Sequence, residues 1–130
     1  MEKTITVQPM RIHIPDEDIA DLQRRLRQTR WPSAIASSDW DDGTEGDYLR
    51  ELVSYWLSDY NWREREAKLN EWDHYQATID DTQLHFIRAA GQGPNPIPLL
   101  LMHGWPSSFI QMLDIIPLLT ADHGDGTPCF

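Results

Sequence analysis

The sequence carries a single cysteine, Cys129. One thiol closes no internal disulfide and fits a reducing compartment. Long apolar runs are missing as well. No stretch approaches the roughly 20 residues that cross a bilayer, and no secretory hydrophobic region is visible. The chain as given therefore reads as soluble, with no membrane anchor visible and a cytoplasmic location expected. Basic residues are scarce: 11 Lys and Arg stand against 21 Asp and Glu, a formal charge of −10. That balance argues against nucleic acid and anionic membranes as partners and is silent on fold.

Several chemical signatures are also missing. There is no G-x-S-x-G nucleophile elbow. The Gly91-Gln92-Gly93 segment lacks the third glycine of a dinucleotide fingerprint, and Pro94 and Pro96 prevent a helix start there. The five histidines, His13, His74, His85, His103 and His123, form no metal pair at helical spacing. The acidic loop holding Ser38, Asp39, Asp41, Asp42, Gly43 and Glu45 lacks the ligand spacing of a calcium loop. No carboxylate pair lies in an apolar setting that would raise a pKa. No metal and no cofactor are expected, and there is no internal repeat or low-complexity tract.

What is present suffices for one domain and not comfortably for two: 130 residues, 40% of them apolar. Four of the six tryptophans, Trp31, Trp40, Trp56 and Trp62, lie before or just after Asn61, which points to a Trp-rich packing surface in the first half. Met10–Ile14 alternates and is expected to be extended. Asp16 is expected to cap a helix that places Ile19, Leu22 and Leu26 on one face and Arg24, Arg25 and Arg27 at its C-terminal end. Those arginines read as a solvated face rather than a phosphate site. Trp31-Pro32 should stop the helix. After the acidic loop, Asp47–Tyr60 reads as an amphipathic helix whose Tyr48, Leu49, Leu52, Val53, Trp56 and Tyr60 are expected in the core. Asn61 can cap a further helix over Trp62–Trp72. The period then changes. His74–Ile79 and Leu84–Ala89 read as strands joined by an Asp80-Asp81-Thr82 hairpin turn. His74 and His85 are expected to form at most a surface pair across it.

The segment of greatest chemical interest is Pro98–Pro106, PLLLMHGWP. Leu99–Met102 reads as a strand buried on both faces, although period alone does not tell it from a piece of buried helix. The chain must turn at Gly104 and Pro106, and a cis Trp105–Pro106 bond suits so tight a corner. Ser107 or Ser108 is expected to cap a helix running to about Leu119. A buried strand feeding a helix through a glycine turn is a unit of α/β architecture, and ligands there sit beyond the strand's carboxyl end. The Trp105 N–H can then aim at developing negative charge, as one half of an oxyanion hole, or the segment can be a plain strand-to-helix turn. His103 is expected to bond the local backbone. Ser107 and Ser108 read as caps rather than nucleophiles.

Taken in order, these residues resemble a known family. Pro9–Phe130 is similar to the N-terminal third of microsomal-type epoxide hydrolases, members of the α/β-hydrolase superfamily. The likeness is carried by Arg11-Ile12-His13-Ile14-Pro15, Leu22–Leu26, Thr29-Arg30-Trp31-Pro32, Asp39-Trp40-Asp41-Asp42-Gly43, Tyr48-Leu49, Trp56, Asn61-Trp62-Arg63, Glu66, Leu69-Asn70, His85-Phe86 and the HGWP motif within Leu100–Phe109. Asp42 stands where an aromatic is more usual. HGWP alone is moderately specific, because related hydrolases share HGxP; the whole succession is highly specific.

The resemblance implies residues 1–72 as a helical meander bracing a lid, and residues 73–130 as the start of a hydrolase core, incomplete on its own. It implies a hydrophobic epoxide substrate, opened by a carboxylate nucleophile through an alkyl–enzyme ester. Water activated by a histidine with an acidic partner then hydrolyses the ester, and two lid tyrosines assist ring opening. Of these groups only the Trp105 N–H is expected in this chain, with His103, Gly104 and Pro106 shaping its turn and the Trp105 side chain lining the substrate pocket. The others are expected beyond Phe130, on a complementing C-terminal segment or chain. A homo-oligomer is compatible with this reading. The resemblance also implies that the next strand of the sheet lies between the hairpin and Leu99–Met102. That run is therefore expected to lack neighbours, at about 1–3 kcal/mol per orphaned buried backbone group. Two other readings stand beside this one: a non-catalytic binding module built on the Trp-rich face, and a different α/β-hydrolase, such as an esterase, marked by Ser rather than Asp at its elbow.

Overall fold

Hydrogen bonding along the first strand decides the arrangement of the sheet. In the computed structural model, which describes residues 5–33, 40–41 and 43–130, β1 (Thr6–Met10) pairs antiparallel with β2 (His74–Ile79), and β2 pairs antiparallel with β3 (Thr82–Ile87). The paired strand thus lies four residues before the expected Met10–Ile14, sharing only Met10 with it. Met10 is opposite His74 and Thr6 opposite Thr78. Beyond Met10 the Asn70 side chain takes over the role of a partner strand: its Oδ1 accepts the Ile12 N–H at 2.9 Å and its Nδ2 donates to the Ile12 carbonyl at 2.8 Å.

The hairpin turn is tighter than expected. Asp80 and Asp81 both take positive φ, +46° and +64°, the backbone of a two-residue type I′ turn whose twist matches the strands. β3 accordingly starts at Thr82. Cross-strand pairing stacks Tyr75 on Phe86, with centroids 5.5 Å apart.

The backbone groups into two compact units, residues 13–67 and residues 1–12 with 68–130. In the first, α1 (Asp16–Arg27) begins after Pro15. Pro15 holds the cap position, and Asp16 is the first helical residue with no capping bond from its side chain, so its expected cap role is corrected. Asp16 instead pairs with Arg63. The basic end is as read, with Arg24, Arg25 and Arg27 in the last turn. The helix stops at Arg27, ahead of Trp31-Pro32. α2 (Gly46–Ser58) is capped by a residue sequence reading passed over: the Glu45 carboxylate accepts the Asp47 and Tyr48 N–H groups at 2.9 and 2.6 Å. Of the acidic loop, Ser38, Asp39 and Asp42 lie outside the described residues. Asn61 does cap α3 (Trp62–Leu69), accepting from the Arg63 N–H at 3.1 Å, and the helix ends three residues earlier than expected.

The aromatics of α2 are not core. Tyr48, Leu52, Tyr55 and Trp56 are exposed, and with Ile14, Leu22, Tyr60 and Trp62 several of them line an open apolar groove of about 560 Å³. Trp31 carries Arg50 over its face at 4.7 Å. Helical spacing put these side chains on one face correctly, but two or three helices alone do not close over it.

Glu66, 7% exposed, ties the unit together through two residues that line the groove, Ile14 and Trp62. Its carboxylate accepts the Ile14 N–H at 2.7 Å, the Trp62 Nε1–H at 3.3 Å and the Arg63 guanidinium at 2.6 Å. The Ile14 N–H, then Arg63, hold its carboxyl below the ordinary 4.5 against the opposing effect of burial. A carboxylate favoured in the folded state adds stability that is full above the unfolded value of 4.5 and is lost as pH falls through the lower folded value. Glu66→Gln is expected to lower the urea midpoint at neutral pH and to flatten its decline on acidification. An unchanged acid slope in urea melts would contradict this role.

Candidate functional site

Everything expected of Pro98–Pro106 turns on whether the leucine run is paired, and it is not. The sheet among the described residues has the order β1-β2-β3, and residues 99–102 carry no strand pairing. Leu100 is 81% exposed, and Leu99, Leu101 and Met102 are exposed too. The expectation of a buried strand is corrected. Its physical cause is the one the sequence pattern anticipates: a central strand exists only through neighbours on both sides, and these residues have none here.

The turn that follows is formed nonetheless. The Trp105–Pro106 peptide is cis, as expected, and the Ser107 N–H closes the corner on the Gly104 carbonyl at 2.8 Å. A proline in cis at the third position of a four-residue turn is type VI geometry. His103 Nδ1 donates to the Gly104 carbonyl at 3.3 Å, the local backbone bond expected of it. The Trp105 N–H meets no acceptor among the described residues. The Trp105 side chain is 94% exposed.

Beyond the turn the single helix expected from Ser107 or Ser108 to Leu119 is two short pieces. One turn of 3₁₀ helix spans Phe109–Met112, and α4 spans Ile116–Thr120. Ser108 makes no capping bond from its side chain. Pro117 is the cause of the break, since it has no N–H to give to the preceding turn and is tolerated only at a helix start.

These elements, β3 and the leucine run enclose a second open groove of about 890 Å³, lined among others by Leu84, Phe86, Leu101, Phe109 and Met112. His103 and Ser108 reach it; Trp105 is not among its lining residues. Its far end is knitted by three backbone bonds: Gln92 N–H to the Thr120 carbonyl, Ile97 N–H to the Cys129 carbonyl and Phe130 N–H to the Leu119 carbonyl, at 2.8, 2.9 and 2.9 Å. Buried Cys129 accepts the Gly93 N–H at 3.2 Å. The Gly91–Pro96 loop is therefore a packed corner.

The histidines of the hairpin meet more closely than expected. His74 Nδ1 and His85 Nε2 are 2.8 Å apart, and His74 Nε2 is 2.7 Å from the Leu69 carbonyl. His74 is 3% exposed while His85 is exposed, so the expected surface pair holds for His85 and is corrected for His74. Phe109 lies edge-on to both rings. Nothing in the sequence pattern joined Phe109 to them, because the contact spans 24 residues or more and crosses two turns. Among the described residues no cluster of three or more His, Cys, Asp or Glu is placed to hold a metal, and no helix is long and apolar enough to cross a membrane.

Comparison with known proteins agrees with this architecture. The family described as Epoxide hydrolase N terminus matches residues 7–112. A putative epoxide hydrolase of Stigmatella aurantiaca is 42% identical over 114 residues, covering 88% of this chain and 26% of that protein. Epoxide hydrolase 1 of Oryctolagus cuniculus is 33% identical, covering 93% and 28%. Among solved structures, the juvenile hormone epoxide hydrolase of Bombyx mori superposes with a TM-score of 0.89 at 27% identity, over 98% of this chain and 34% of that one. The chain thus spans about a quarter to a third of the length of these relatives. Its helices and small sheet are part of an α/β-hydrolase fold, and the chain belongs to the epoxide hydrolase N-terminal family.

Proposed function

We propose that this chain is the N-terminal portion of an epoxide hydrolase that opens a hydrophobic epoxide to a vicinal diol through an alkyl–enzyme ester. Its own contribution is the HGWP turn, where the Trp105 N–H is one half of the hole that receives the oxyanion during ester hydrolysis. Gly104 and Pro106 shape the turn, His103 ties it to the local backbone, and the Trp105 side chain borders the substrate. The nucleophile, the histidine with its acidic partner and the lid tyrosines come from a complementing C-terminal segment, which also pairs with Leu99–Met102 and covers the groove between that run and β3. The helices over residues 13–67 brace the lid. No cofactor takes part, and detoxification in the cytoplasm is the setting we assign.

The observation that carries this reading is the Trp105 N–H, without an acceptor among the described residues, in a closed HGWP turn, in a chain of this family. Incubating the complete protein with an aryl-substituted epoxide in ¹⁸O-water tests it. A single turnover is expected to give diol with unlabelled oxygen, supplied by the enzyme carboxylate, and later turnovers labelled diol. Labelled oxygen in the first turnover would contradict the ester, and hydrolysis of carboxylic esters without any diol from epoxides would mark a different hydrolase.

A further inference from the structure

The contact between His74 and His85 has a defined proton order. The Leu69 carbonyl can only accept, so His74 Nε2 carries a hydrogen. In neutral His74 the Nδ1 is then a bare lone pair. Facing it at 2.8 Å, His85 Nε2 must be the donor. The rings are inclined by only 23° with centroids 5.1 Å apart. At that separation the two nitrogens meet nearly head-on in the ring planes, the arrangement of an N–H···N hydrogen bond and not of two ligands converging on a metal ion.

A hydrogen bond of this kind survives one added proton and fails with two. The first goes to the other nitrogen of His85, which lies on an exposed residue of β3, and leaves the His85 Nε2–H donating to His74. A second proton has only the His74 Nδ1 to occupy. Two N–H groups and two positive charges would then confront each other at hydrogen-bond distance, and the rings must part.

We infer that His74 and His85 form a one-proton latch. Closed, it fastens the β2–β3 hairpin to the last carbonyl of α3 and to Phe109; opened by a second proton, it releases Phe109 and the segment that follows Pro106. The elements around it are consistent with this. His74 is flanked across the sheet by Met10 and Ile87, and His85 by Gln76, with Gln8 and Gln83 one step further along on the same face. Phe109 sits edge-on at 5.8 Å from His74 and 4.8 Å from His85. None of these is charged. The charged residues nearest in the chain, Asp73 and Arg88, are joined through their backbone, Arg88 N–H to the Asp73 carbonyl at 3.1 Å, and their side chains form no ion pair among the described residues. No carboxylate is therefore at hand to neutralise a doubly charged pair. Burial of the ring lowers the His85 pKa from 6.5, and a positive charge on His74 lowers it further, so the two rings resist being charged together. Phe109 begins its helical turn three residues after Pro106, so the latch bears on the HGWP corner through one short segment.

The test is an NMR titration of the full chain with ¹⁵N-labelled histidine and observed phenylalanine rings, from about pH 8 to pH 5. The expected result is a coupled pair in which His85 titrates below the ordinary histidine value, with Phe109 resonances that stay fixed through the first proton and move only with the second. In His85→Gln the amide can donate to neutral His74 and, turned over, accept from protonated His74, so Phe109 is expected to stay fixed across the range. Independent titration of both rings at ordinary values would overturn the latch, as would Phe109 moving in His85→Gln as it does in the parent. Should His85→Gln fail to fold, the parent titration alone decides.

Discussion

Trp105→Pro is expected to slow epoxide turnover by the complete protein about 10²–10³-fold in kcat, the loss seen when one oxyanion-hole donor is removed. The substitution deletes the N–H itself, which a change to any residue but proline leaves in place. Proline also perturbs the corner between Gly104 and Pro106, so Trp105→Ala is the necessary companion. Alanine keeps the N–H and removes the exposed indole. Its expected effect falls on KM, because a side chain that borders the substrate contributes to binding in ground state and transition state alike. Steady-state kinetics of the two variants separate the roles. A proline variant with unchanged kcat would remove the N–H from the mechanism, and an alanine variant as slow as proline would place the effect in the lost indole rather than in the N–H.

The second large effect is on stability. Gly91→Ala puts a methyl group 2.5 Å from the Pro96 Cβ, 2.7 Å from the Phe130 carbonyl oxygen and 3.2 Å from Cys129 Sγ. A proline ring and a hydrogen-bonded backbone segment are rigid neighbours, since Phe130 is held to Leu119 and Cys129 to Ile97. Overpacking at such a site costs about 1–3 kcal/mol. Gly46→Ala is the control. Its added Cβ meets nothing within 4 Å at the start of α2, where alanine narrows the unfolded ensemble at no steric cost and adds about 0.4–1 kcal/mol. Urea midpoints are expected to move in opposite directions. Equal shifts would show that the Gly91 corner yields, and the description of it as tightly packed would be wrong.

The local elements were legible because their causes are local. Asn61 before a helix, basic residues at the end of α1 and the change of period at His74 each act within a few residues, and each stands as read. The Asp80-Asp81 turn was seen, though not that both aspartates take positive φ. What escaped was set by distant partners. Glu66 looks like one more charge on a polar helix, yet it accepts an N–H from Ile14, 52 residues away. Cys129 looks like a lone thiol, yet it is buried against Gly93. The aromatic face of α2 and the leucine run share one lesson. Their apolar pattern announces burial, and burial needs a second surface that these residues do not supply to one another. The HGWP corner could be read at the level of backbone chemistry, because glycine, tryptophan and proline in that order restrict the geometry whatever surrounds it. Which groups the Trp105 N–H serves is information held by other residues.

In the proposed mechanism this N–H acts on the ester-hydrolysis half of the reaction. Mass spectrometry of the complete Trp105→Pro protein, acid-quenched during turnover of an epoxide, measures that step directly. Protein carrying the mass of one epoxide as a covalent ester is expected to accumulate well beyond the level in the parent enzyme. A slow variant that carries no adduct would place the defect before the ester forms and contradict the claim.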